Sequence, residues 1–156
     1  MPRSGEQARR RLQQAALELY VERGYDATTA AQVAGRAGVT ERTFFRHFPD
    51  KREVLFDGEA ELRADLERGV AHAPAGLDPL ALLAHGVRAA VPLLERNRVF
   101  AEPRNAVIDS TPALRERALI KEAALVAALT AALVRYLSSQ MRQGAVRLSV
   151  VLVGVG

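Results

Sequence analysis

The chain has 156 residues, about half of them apolar and a quarter charged, with a formal net charge of +4, a balance that suits one soluble domain or a small head on a helical body. With no cysteine, disulfides and thiolate metal sites are excluded. Arg3, Arg9, Arg10 and Arg11 precede no apolar segment that would make a secretory signal, and the longest apolar run, near Val150 to Val155, is too short for a bilayer, so a cytoplasmic protein with no membrane partner is expected.

The pattern predicts an all-helical chain. The first helix starts at a capping box, Ser4-Gly5-Glu6-Gln7, and carries the stripe Leu12, Ala15, Ala16, Leu19 and Tyr20. Gly24 ends it. A second helix opens at Thr28-Thr29, where Thr29 and Gln32 make another capping box, and turns inward Ala30, Val33, Ala34 and Ala37. Gly38 supplies a sharp turn. The third helix opens at Thr40, with Glu41 in its first turn, where the macrodipole favours an acid. Phe44 and Phe48 share its inner face, and Pro49 ends it.

A fourth helix is expected from Asp50, capped with Glu53, to about His72. The segment Ala73 to Asp78, with Pro74, Gly76 and Pro79, is the clearest break. A fifth helix follows from about Leu80 to Arg96, with the stripe Leu80, Leu83, Val87, Val91 and Leu94 and a kink at Pro92. A shorter helix is expected over Val99 to Ile108. Pro112 then opens a long one, to about Gln143, apolar on more than one side through Leu119, Ile120, Leu125, Val126, Leu129, Leu133, Val134 and Leu137. Such a helix needs cover on two sides. The valine-rich tail from Val146 to Gly156 reads as a short strand or a frayed end.

Charge is unevenly placed. Residues 1–52 hold ten basic and six acidic side chains, so the whole excess of +4 lies in the first third. A basic end on a neutral body suggests contact with phosphate, although so small an excess also arises by chance. Within that third, two short helices joined by a glycine turn have the layout of a helix-turn-helix. Burial of Phe44 and Phe48 leaves Glu41, Arg42, Thr43, Phe45, Arg46 and His47 largely outside. A helix fits the major groove, where arginine bonds guanine and threonine touches phosphate or a thymine methyl. Thr29 begins the helix that crosses the DNA backbone in this motif, and Lys51 stands where it could hold another phosphate. The alternative for all of these is a solvated polar face with ordinary capping.

Catalytic signals are poor. His47, His72 and His85 are dispersed without metal-ligand spacing, and Glu59, Glu61, Asp65 and Glu67 read as a solvated face pairing with Arg63 and Arg68. No nucleophile elbow or phosphate loop is present. No catalytic residue, metal or cofactor is expected, and the protein is read as a non-enzyme.

With these residues in view, the chain resembles the tetracycline-repressor (TetR) family of bacterial transcription regulators. The resemblance lies in Gly24-Tyr25, Thr28-Thr29, Val33-Ala34, Ala37-Gly38-Val39, Thr43-Phe44-Phe45-Arg46-His47-Phe48 and Lys51, continuing to Leu55. It implies an all-α fold: a three-helix DNA-binding head over residues 6–66, joined by a linking helix to a ligand-binding and dimerisation body over 67–156. It also implies a homodimer that binds a palindromic double-stranded operator and is released by a small, often apolar effector. The DNA contacts it implies fall on Thr29, Thr40, Glu41, Arg42, Thr43, Arg46, His47 and Lys51. Two departures are visible. The usual tyrosine of the third helix is Phe45 here, which removes a hydroxyl-to-phosphate bond worth about 1 kcal/mol. The body looks shortened after its long helix, where the dimer helices are expected. A competing reading is therefore a helical interaction module derived from such a regulator, without dimerisation or operator binding.

Overall fold

The structure, a computed structural model, describes residues 3–153, with side chains over 5–144. The order is α1 (Arg3–Arg23), α2 (Ala30–Arg36), α3 (Glu41–His47), a 3-10 turn (Glu53–Phe56), α4 (Glu59–Ala71), α5 (Pro79–Ser110) and α6 (Pro112–Val153). No strand occurs among these residues, so the chain is all-α as expected. It divides into two compact units. The first comprises residues 1–59 and 97–121, the second residues 60–96 and 122–156, whereas the sequence reading divides the chain once, after residue 66.

In the first unit, α1 begins at Arg3, before the expected Ser4 cap, and buries Leu12, Ala15, Ala16, Leu19 and Tyr20 as its stripe requires. The Thr29 hydroxyl accepts the Gln32 amide at 3.2 Å while the Gln32 side chain accepts the Thr29 amide at 3.0 Å, the reciprocal cap read from the sequence. Gly38 turns the chain at φ +70°, which a side chain would resist. Thr40 caps α3, accepting the Thr43 amide at 3.2 Å. Phe44 and Phe48 are fully buried against α1 and α2 residues.

The segment expected as one helix from Asp50 to His72 is divided. The Asp50 carboxylate accepts the Arg52 and Glu53 amides, but only the 3-10 turn follows. Gly58 then turns the chain at φ +93° before α4 begins at Glu59. Val54, Leu55 and Phe56 of that turn are buried in one cluster with Val107, Ile108 and Leu114. Arg104 Nε donates to the Leu55 carbonyl at 2.5 Å and its guanidinium lies over the Phe56 ring. Glu53 pairs with Arg117 at 2.5 Å and Lys121 at 3.0 Å, and Lys121 also reaches Glu59 at 3.0 Å. Burial pulls the Glu53 carboxyl upward, but Lys121 and Arg117 outweigh it and hold the group below its ordinary value.

In the second unit, Asp78 accepts the Leu80 and Ala81 amides and starts α5, with Pro79 in the first turn. Helix α5 runs unbroken through Pro92 and Pro103, replacing the two shorter helices expected. Each proline costs one backbone hydrogen bond, but the carbonyls released belong to Arg88 and Val99, both exposed, where water can take the vacant place. The face buried is also different. Leu82, Ala90 and Leu93 are buried, while Leu80, Val87, Val91 and Leu94 of the expected stripe are exposed. Val70, Leu82, Ala132 and Tyr136 form the second core, and the Tyr136 hydroxyl donates to the Pro74 carbonyl.

Helix α6 opens at Pro112 as expected and continues to Val153. The part of the tail read as a strand or frayed end is thus helical up to that residue, and residues 154–156 lie outside the described part. Leu119, Ile120, Val126, Val134 and Met141 of α6 are exposed.

Candidate nucleic-acid interface

The outward face of α3 follows from its inward one. Phe44 points into the core, so the opposite arc, at 100° per residue, carries Arg42 and Arg46 with Phe45 on one flank and Thr43 on the other. Arg42, Phe45, Arg46 and Glu41 are exposed. Thr43 is half-buried, and its hydroxyl lies 3.0 Å from that of Thr40.

The head's other arginines are mostly engaged. Arg36 pairs with Glu18 at 3.2 Å and Glu22 at 2.9 Å, Arg9 and Arg10 pair with Asp57 and Glu6 at 2.5 Å each, and Arg52 pairs with Asp50 at 2.8 Å. Among the described residues no carboxylate pairs with Arg42 or Arg46. Arg11 has none either, and its guanidinium lies near Gly38, 3.9 Å from where a Cβ there would stand. The run Arg9, Arg10, Arg11 is therefore three different positions. Successive residues lie 100° apart around α1, so only one reaches the turn between α2 and α3. In the sequence the three arginines together give mild support to a nucleic-acid role, and the structure sets Arg11 apart from the other two.

Lys51 and His47 are placed differently from the α3 arginines. The Lys51 ammonium donates to the carbonyls of Tyr25 at 2.9 Å and Thr28 at 3.0 Å and lies 4.0 Å from the centre of the Tyr25 ring. The Tyr20 hydroxyl donates back to the Lys51 carbonyl at 2.8 Å. Two of three ammonium donors are thus committed to the loop before α2. Replacing Lys51 by alanine is expected to cost about 1.5–3 kcal/mol of stability, the range for hydrogen bonds to a charged group. Chemical denaturation measures this. An unchanged midpoint, with a salt slope of DNA binding lower by about one, would instead make Lys51 a phosphate contact.

His47 turns toward α1. Its ring lies 3.9 Å from the Cβ position of Gly5, and its Nε2 is buried without a partner among the described residues. Burial pushes the imidazole below its ordinary pKa, and Arg46 and Arg9 push it further, with Asp57 opposing. The ring is therefore predominantly neutral at pH 7 and adds little charge to the α3 face. Thr29 is exposed, its hydroxyl occupied by its cap.

A short exposed helix, bearing arginines with no carboxylate partner among the described residues and joined to a preceding helix by a glycine turn, has the layout of a helix-turn-helix. Residues 12–57 match the family model described as bacterial regulatory proteins, tetR family. The match lies within the head, and the rest of the chain falls outside it. The chain is 38% identical over 74 residues to the HTH-type transcriptional regulator TcmR of Streptomyces glaucescens, a stretch covering 47% of this chain and 33% of that protein. It is 44% identical over 46 residues to an uncharacterized HTH-type transcriptional regulator, YvkB, of Bacillus subtilis (strain 168), covering 30% of this chain and 24% of that one. The matches thus span about a third and a quarter of these curated relatives. Among solved structures, Thermus thermophilus FadR, a TetR-family transcriptional repressor in complex with lauroyl-CoA, is 27% identical. That alignment covers 87% of this chain and 69% of FadR, with a TM-score of 0.43. No helix among the described residues is long and apolar enough to cross a membrane.

Proposed function

We propose that the protein is a transcriptional repressor that binds a palindromic operator as a homodimer and leaves it when a small apolar effector binds the helical body. The observation that carries the DNA-binding half is the pair Arg42 and Arg46, exposed on α3 with no carboxylate partner among the described residues, in a head where Arg9, Arg10, Arg36 and Arg52 are paired with acids. Guanine recognition by these two guanidiniums, with Thr29, Thr40 and Thr43 against the backbone, gives one half-site. A two-fold dimer places its half-sites about 34 Å apart or at a multiple of that. The exposed apolar residues of α6 support association with a second copy. Effector release is proposed from the likeness of the head to the tetR family model.

Arg46→Ala is expected to weaken operator binding by about 1–3 kcal/mol, or roughly 10–100-fold, while changing stability by less than about 0.5 kcal/mol. Mobility shift and thermal unfolding on the same variant measure both. Equal loss of binding and stability would defeat the assignment. Light scattering of the free protein tests the dimer. A stable monomer without operator affinity would favour the interaction-module reading.

A further inference from the structure

We propose that Phe45 reads sequence: its phenyl ring docks on the C5-methyl group of a thymine in the major groove, beside the base contacted by Arg42 or Arg46. This rests on the reading of α3 as the groove-entering helix.

Three phenylalanines fall within five residues, and the core uses two of them. Phe44 and Phe48 are 0% and 2% exposed, whereas Phe45 is 51% exposed. A single exposed apolar residue is ordinary; its surroundings decide its meaning. Phe45 lies three residues after Arg42 and one before Arg46, so it shares an exposed arc with two unpaired guanidiniums. A surface that attracts a polyanion therefore has a bulky apolar group within it.

The ring is also held in place. It meets the fully buried Phe44 ring edge-on, at 5.3 Å between centroids and 81° between planes. Its direction is set by the core rather than by solvent.

Chemistry narrows what the ring can recognise. A phenyl group donates no hydrogen bond, so neither phosphate nor the polar base edges reward it. In an intact duplex the base faces are stacked away. The apolar feature exposed in the major groove is the thymine methyl. The neighbouring Thr43 hydroxyl is within hydrogen-bond distance of Thr40, which leaves Phe45 as the large apolar probe of this arc.

The test uses the full chain and a duplex selected by binding from a randomised pool. Each thymine is replaced in turn by deoxyuridine, which removes only the methyl group. One position per half-site is expected to weaken wild-type binding about fourfold, the worth of one buried methyl-sized group. Phe45→Ala should lose a similar factor on the thymine duplex and nothing more on the deoxyuridine duplex. Phe45→Leu should retain methyl sensitivity. Wild-type indifference to every deoxyuridine, or undiminished sensitivity in Phe45→Ala, overturns the proposal while leaving DNA binding intact. Failure to select any duplex overturns both.

Discussion

Replacing Phe44 by alanine is expected to remove about 3–5 kcal/mol of stability. Its ring is fully buried and touches both Phe45 and Phe48. The loss extends beyond a cavity. Helix α3 has seven residues, too few to persist without tertiary support, and Phe44 is the buried side chain within it. DNA binding should disappear with the fold, in contrast to Arg46→Ala, where the fold survives. Phe44→Leu retains most of the volume and should cost less than about 1.5 kcal/mol. Denaturant unfolding of the two variants beside the wild type measures the difference, and an alanine variant as stable as the leucine one would remove Phe44 from its place as anchor.

The second large effect is expected at Gly69. A Cβ there would stand 2.7 Å from the Ala89 Cβ, 2.8 Å from the Gly86 Cα and 3.0 Å from the His85 carbonyl oxygen. These atoms belong to backbone or to a side chain that cannot swing aside, so α4 and α5 would have to part. His85 Nδ1 also lies 3.1 Å from the Gly69 carbonyl oxygen, a hydrogen bond that separation would break. Gly69→Ala should therefore destabilise by about 1–3 kcal/mol, although alanine is the better helix former by about 1 kcal/mol. Gly35 is the matched control. It also lies in a helix but faces open space, so Gly35→Ala should stabilise, by roughly 0.5–1 kcal/mol. Opposite signs for the two substitutions, measured by urea unfolding, would separate close packing from helix propensity.

Local chemistry explains what the sequence made legible. The Thr29–Gln32 box, the Thr40 cap, the turn at Gly38 and the inward Phe44 and Phe48 each depend on residues within a few positions of one another. Arg42, Phe45 and Arg46 were readable as the outer face for the same reason. Long-range partners were not readable. Lys51 is directed by carbonyls 26 and 23 residues earlier, and His47 by α1 near Gly5. In α5 the line Leu80, Leu83, Val87, Val91 and Leu94 has the helical period but a different phase from the buried face. The buried line passes instead through Leu82, Gly86, Ala90 and Leu93, where small residues permit close approach to α4. The proline positions failed similarly: Pro92 and Pro103 forbid a hydrogen bond each, but they do not forbid a helix.

The first unit draws on two separated stretches of chain, residues 1–59 and 97–121. A ribosome therefore releases its opening three helices well before the residues that complete their core. Until Val107, Ile108 and Leu114 emerge, Val54, Leu55 and Phe56 lack part of their native cover. Cutting the gene after codon 59 would make that temporary exposure permanent. Such a fragment would keep the recognition helix but present a sticky apolar surface, so insolubility on expression would follow from the wiring of the chain rather than from any fault in the DNA-reading motif.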